Sequence, residues 1–181
     1  MCSSDLKVNE EAMRHFQALV QIDTSDPPGN ETRAVDYLKQ VLDAEGIPYE
    51  TYDPGDGRTS LVARLAGTGE RGKALILLSH TDVVPFERDQ WTVDPLGGEV
   101  RDGYVWGRGA LDMKSQGIMQ LITFLLHHRM RLPLARDLVF MAVADEEAGV
   151  FGGALWGHLG DQQSRLDRAS SALALGQGHG Q

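Results

Sequence analysis

The chain has 181 residues, enough for one domain with a real hydrophobic core and short for two. Apolar residues make up 41% and charged residues 24%, a composition unlike that of a disordered or membrane-spanning chain, and no apolar run approaches a bilayer's width. A formal charge of −9 argues against non-specific binding to nucleic acid or to an anionic membrane surface, since both need basic patches. The polar start "MCSSDLKVNEEAM" contains no hydrophobic signal region, so a cytoplasmic location is expected. The single cysteine, Cys2, forms no internal disulfide framework and sits at a chain end where a catalytic role is not expected.

In chain order, Ala12, Met13, Phe16, Leu19 and Val20 fall at helical spacing, and so do Ala34, Val35, Leu38, Val41 and Leu42. Between these two amphipathic helices "DTSDPPGN" is a turn cluster whose Asn30 can cap the second, and Gly46 before Pro48 supplies its stop. The short runs at 61–66 and 74–78 read as strands, each too short for a helix. Ile118, Leu121, Ile122, Leu125 and Leu126 mark a third helix from about residue 114 to 129, ended near Pro133. "LVFMAVA" at 138–144 is the next buried strand, and the chain turns small, polar and glycine-rich in "SSALALGQGHGQ". This alternation predicts an α/β domain with a mostly parallel sheet flanked by helices.

The stretch "GTGERG" at 67–72 matches the G-x-G-x-x-G dinucleotide fingerprint letter by letter. A dinucleotide loop must open a helix, whereas "KALILL" reads as another strand, so a hairpin turn is the better reading.

Three stretches gather chemistry at strand ends or a loop–helix junction: "SHTDVVP", "GRGALDMK" and "ADEEAG". The carboxyl ends of strands in an open α/β sheet form the crevice where ligands bind, which delivers His80 with Asp82, and Glu146 with Glu147, to one edge. Asp112 precedes the third helix in a loop whose Gly107 and Gly109 would let the backbone approach whatever is bound. Carboxylates converging on one imidazole repel one another, and a divalent cation resolves that; His with Asp/Glu oxygen suits Zn²⁺.

Each residue alone has a plainer reading. His80 could be a hydrogen-bonded histidine at a strand end, Asp112 an N-cap, and Glu146–Glu147 solvated surface. The joint arrangement favours the metal. His127 and His128, near a helix C-terminus, fit its dipole better than a metal, and Met113, Met119 and Met141 read as core filler.

At "SHTDVVP", "WTVDPLGGEVRDGYVWGRGALDMK" and "DEEAG" the chain resembles the M20 family of metallopeptidases and amidohydrolases, which includes aminoacylase, acetylornithine deacetylase, succinyl-diaminopimelate desuccinylase and the glutamate carboxypeptidases. The order and spacing are the family's, over roughly residues 10–160. The resemblance implies a truncated zinc-peptidase-like catalytic domain over 1–160, followed by a tail at 161–181, acting on a small N-acyl amino acid or peptide. It implies two zinc ions, about 3.5–4 Å apart as two-metal sites are, that activate a water against an amide carbonyl. By the same resemblance His80 binds one metal, Asp82 orients its imidazole, Asp112 bridges both metals, Glu146 is the general base and Glu147 binds the second metal.

The chain also departs from that pattern. Family members are much longer and carry an inserted smaller domain, then a final catalytic segment that contributes a histidine to the second metal. Gln177 falls where the family has an acidic ligand, Leu96 replaces its usual phenylalanine, and His179 comes too early to be the missing histidine. The alternative expectation is therefore a truncated, inactive remnant that binds metal weakly.

Overall fold

The computed structural model describes residues 3–148. Helix α1 runs Ser3–Gln21 and α2 Glu31–Ala44, followed by strands β1 (Tyr49–Tyr52), β2 (Ser60–Leu65) and β3 (Leu75–His80). A two-stranded ribbon, β4 (Glu99–Arg101) and β5 (Tyr104–Trp106), precedes helix α3 (Ser115–Arg129) and strand β6 (Leu138–Val143). The boundary expected at 160/161, together with Cys2, Gln177 and His179, lies outside the described residues.

The main sheet has the order β1-β2-β6-β3. It is the mixed sheet flanked by helices that the sequence leads one to expect, with a different internal balance. Only β3 and β6 are parallel; β1 with β2 and β2 with β6 are antiparallel. The reason lies in the connections, since residues 53–59 are too few for a crossover and reverse the chain directly. The turn at 67–72 is not a hairpin either, because β6 inserts between β2 and β3. Its backbone is instead pinned to the segment entering β6: Thr68 N–H donates to Leu134 O at 2.8 Å and Arg71 N–H to Ala135 O at 3.0 Å.

Strand β6 is buried at every position, as a central strand covered on both faces must be. Phe140 and Ala142 pack into one cluster with Leu38 and Leu42 of α2 and with Leu121, Phe124 and Leu125 of α3. The 3.6-residue spacing of α2 and α3 thus becomes the apolar face that lies on the sheet. Asn30 makes no side-chain cap; its own N–H donates to Glu31 Oε2 at 2.9 Å, so the carboxylate one residue on does the capping. Met141 is core as expected, whereas Met119 points outward at 62% exposure. His127 and His128 each bond a backbone carbonyl, of Thr123 and Glu45. No helix of the described residues is long and apolar enough to cross a membrane.

Candidate metal centre

The parallel pairing of β3 and β6 brings His80 level with Val143, so both strands leave the sheet at the same edge. Thr81 N–H donates to Val143 O at 2.8 Å, extending the ladder one step past His80. Beyond β6, Asp145 adopts a left-handed φ of 63°, which turns the chain sharply and sets Glu146 and Glu147 over the strand ends. On the other side of β3, residues 24–26 run beside 81–83: Val83 N–H donates to Thr24 O at 3.1 Å and Asp26 N–H to Val83 O at 2.9 Å.

Asp112 arrives from the loop before α3. Its backbone is extended (φ −114°, ψ 101°), and α3 opens at Ser115 with Lys114 in the capping position, so Asp112 is not its N-cap. Its carboxylate reaches His80 instead, with Oδ1 3.2 Å from Nε2. Gly107 and Gly109 line a cleft beside Asp112, as expected, and their missing side chains also serve the interior. A Cβ on Gly107 would stand 2.4 Å from Val20 Cγ1, and one on Gly109, at φ +77°, 2.4 Å from Val83 Cγ1. Lys114 is completely buried, its Nζ donating to Ile22 O at 2.8 Å, and this anchors the loop to the end of α1. Burial pulls that ammonium down to about 8, against the opposing pull of Asp23 and Asp82.

One ligand atom each from His80, Asp112 and Glu147 lies within 4.8 Å of the others. Glu146 Oε2 stands 3.9 Å from His80 Nε2, and the Glu146 side chain is 61% exposed, open to a reactant. The far ring nitrogen, Nδ1, sits 3.0 Å from Asp82 O and 3.5 Å from Asp82 Oδ1. Residue 82 therefore orients the imidazole first through its backbone carbonyl and only then through its carboxylate. That carboxylate, with no exposed surface, also holds the turn after β6, because its Oδ2 accepts the Glu147 N–H at 2.8 Å. Nε2 is left facing Asp112 and Glu146.

The charges in this corner are out of balance without a cation. Burial opposes the imidazolium of His80, but the Asp82 and Asp112 carboxylates outweigh it and push the ring up to about 9. Burial raises Glu147 too; His80 opposes that rise, and the neighbouring carboxylates of Asp112, Asp82 and Glu146 reinforce it. Among the described residues no lysine or arginine pairs with Asp112, Glu146 or Glu147. One imidazole nitrogen and two carboxylates at this spacing fit a divalent cation.

Beside the centre lies a cleft of about 300 Å³, lined by Val84, Arg108, Leu111, Asp112 and Glu147 among others. The Arg108 guanidinium lies 5.3 Å from the Trp91 ring centre, a cation–π contact. A second gathering of buried carboxylates, Asp26, Glu31 and Asp82, lies behind His80. Its cation is already present in the chain. Arg58 is paired with Asp26, with Asp145 at 2.6 Å and with Glu31 at 3.4 Å. Sequence patterning singles out none of Arg58, Glu31, Asp145 or Lys114. All four are polar residues next to turns, and their burial depends on contacts far apart in the chain.

Residues 76–178 match the family model described as peptidase family M20/M25/M40. The chain belongs to that family. Similar members include the N-formyl-4-amino-5-aminomethyl-2-methylpyrimidine deformylase of Halalkalibacterium halodurans, 32% identical over 81% of this chain and 35% of that protein. The succinyl-diaminopimelate desuccinylase of Methylorubrum extorquens is 35% identical over 76% of this chain and 36% of its own length. The chain thus spans about a third of the length of these curated relatives. Human carnosine dipeptidase 1 shares the family fold, with a TM-score of 0.67 and 24% identity over 81% of this chain and 34% of that one. The Bacillus subtilis protein described as a dinuclear metal-binding peptidase of the M20 family aligns at a TM-score of 0.55, with 22% identity over 82% of this chain and 41% of that one.

Proposed function

We propose that the chain is a metal-dependent hydrolase that cleaves an amide bond in a small N-acyl amino acid or peptide. The observation that carries the reading is the convergence of His80, Asp112 and Glu147 from three separate segments onto one point, with no basic side chain among the described residues paired to the two carboxylates. Family membership supports it, and the deformylase and desuccinylase among the relatives are named for removing acyl groups.

In this proposal His80 Nε2, Asp112 and Glu147 would hold the metal, and Asp112 could serve two cations because a carboxylate offers two oxygens. The dinuclear relative supports a pair of ions, and the donor set favours zinc. When bound, the ions supply Lewis acidity that polarises a carbonyl and makes water a stronger acid. Glu146, exposed beside His80 Nε2, is the general base. It accepts the proton from water as the new C–O bond forms, then delivers it to the departing nitrogen as the C–N bond breaks. Asp82 and the Glu147 N–H keep the histidine and the glutamate in register with one another.

The test is hydrolysis of N-acetyl amino acids and dipeptides by zinc-loaded protein. Release of free amine that stops on chelation and returns with zinc supports the proposal. One observation favours a second reading, in which the chain binds metal weakly and turns nothing over. Among the described residues each of two ions would keep only two protein ligands, His80 with Asp112 and Glu147 with Asp112, where zinc sites usually hold three or more. Loose zinc binding without amine release would decide for that reading.

A further inference from the structure

We infer that Arg58 is a positioning residue for the metal centre, a guanidinium that locks the turn carrying Glu146 and Glu147 to the segment running beside His80 and Asp82. The inference rests on the proposed function for the identity of the ligands. Its geometry stands without any ion.

The β3–β6 ladder and the Asp82 Oδ2–Glu147 N–H bond already tie His80 to Glu147, and two segments around that tie are braced against one another. The first is 24–26, hydrogen-bonded to Val83 on both sides of Ser25. The second is the turn at 145–147. No backbone hydrogen bond in the described residues joins 24–26 directly to 145–147. Arg58 makes that link. Its Nη2 donates to Asp26 Oδ1 at 2.8 Å and its Nη1 to Asp26 Oδ2, a two-pronged grip on the first segment. The same Nη1 donates to Asp145 Oδ1 at 2.6 Å on the second. Glu31, with no exposed surface, fastens the turn again: Oε1 accepts the Asp145 N–H at 3.2 Å and stands 3.4 Å from Arg58 Nη1.

The turn needs such a hold. Asp145 sits at φ +63°, a conformation that residues with a side chain seldom adopt, and the next two residues are the proposed base and ligand. The pocket around the guanidinium is also closely fitted, since a Cβ on Gly29 would stand 2.7 Å from Arg58 Nε. A lysine could restore the charge but not the fork, because one ammonium cannot grip both oxygens of Asp26 in plane while reaching Asp145. Hydrogen-bond networks of this kind behind a ligand are where metal affinity is commonly set, and losing one typically costs about 10–100-fold in binding.

The experiment compares wild type, Arg58→Lys, Asp145→Asn and the control Arg64→Lys. Arg64 pairs with Asp137 at the opposite end of the sheet and touches nothing in the centre. Hydrogen exchange on the metal-free proteins reads the Glu147 amide, which donates to Asp82. Arg58→Lys and Asp145→Asn should each speed that exchange about tenfold or more while core amides of β6 keep their protection, and Arg64→Lys should not. Zinc titration of the same proteins should show about 10–100-fold weaker binding in the first two only. Unchanged Glu147 exchange in a folded Arg58→Lys or Asp145→Asn protein overturns the inference. So does an equal loss in Arg64→Lys. If Arg58→Lys does not fold, the near-isosteric Asp145→Asn decides alone. Absence of zinc binding by wild type would contradict the proposed function and leave the exchange result to judge Arg58.

Discussion

Asp82→Asn is a small change with two separable effects. The carboxylate is fully buried, accepts the Glu147 N–H through Oδ2 at 2.8 Å, and presents Oδ1 to His80 Nδ1 at 3.5 Å. An asparagine has one acceptor oxygen and one donor nitrogen in that space. If the oxygen serves the Glu147 N–H, the amide NH₂ faces His80 Nδ1, whose own hydrogen is committed to the Asp82 carbonyl, and two donors confront each other. If the amide flips, the clash moves to the Glu147 N–H. Either way one proposed ligand loses its support, and the variant should bind zinc about 10–100-fold more weakly, or about 1.4–2.8 kcal/mol. Isothermal titration with zinc measures the affinity, and the far-UV circular dichroism of the metal-free protein checks that the fold is intact. A dissociation constant within about twofold of wild type, in a folded protein, would refute the reasoning, because a residue that touches both ligands would then contribute far less than groups that orient metal ligands ordinarily do.

Asp112→Asn should weaken zinc binding more than Asp82→Asn, since it alters a ligand rather than a support; the opposite ranking in the same titrations would show that Asp112 does not bridge. Glu146→Gln should keep zinc content nearly unchanged while amide hydrolysis falls on the order of 10²–10⁴-fold, and zinc loss equal to that of Glu147→Gln would show the two roles to be misassigned. Arg129 holds Glu11 and Glu45 with bonds of 2.7 and 2.6 Å, and these hydrogen bonds lower both carboxyls below their ordinary 4.5 despite partial burial. A depressed carboxyl stabilises the fold above its unfolded value and loses that contribution as pH falls through its folded one. Thermal melts should therefore show Arg129→Gln less stable than wild type by about 1 kcal/mol at pH 7, with the gap closing as the pH drops below 4.5. Phe140→Ala empties a position that is 1% exposed, against the ring of Phe124 at 5.9 Å, and should cost about 3–5 kcal/mol in urea unfolding.

Helices α1, α2 and α3 and strands β2, β3 and β6 are legible in the sequence because each carries an apolar run or stripe whose period survives without its neighbours. Strand β1 is not, since "YETY" has no buried face to mark it, and the exposed ribbon of β4 and β5 gives no better signal. Sheet order is hidden for another reason: β6 reaches its place between β2 and β3 from far along the chain, and nothing local in "GTGERG" records that. The ends of β3 and β6 are readable, and with them the meeting of His80 with Glu146 and Glu147, because a parallel pair delivers both carboxyl ends to one edge. The place of Gly107 and Gly109 along the cleft is readable, whereas their close packing is not, as the atoms that demand their missing Cβ belong to Val20 and Val83. Arg58 gives no sign at all, and Lys114, though inside "GRGALDMK", gives none of its burial. A charged residue in a polar loop looks solvated until the carboxylates or carbonyls that surround it arrive from elsewhere in the chain.

The most direct test is a zinc-soaked crystal with anomalous data collected at the zinc edge. The expected result is a zinc peak bonded to His80 Nε2 and to an Asp112 oxygen at about 2.0–2.2 Å, with Glu147 holding the same or an adjacent ion. A map at saturating zinc with no peak there, or with its peaks on other residues while His80, Asp112 and Glu147 stay unligated, would contradict it.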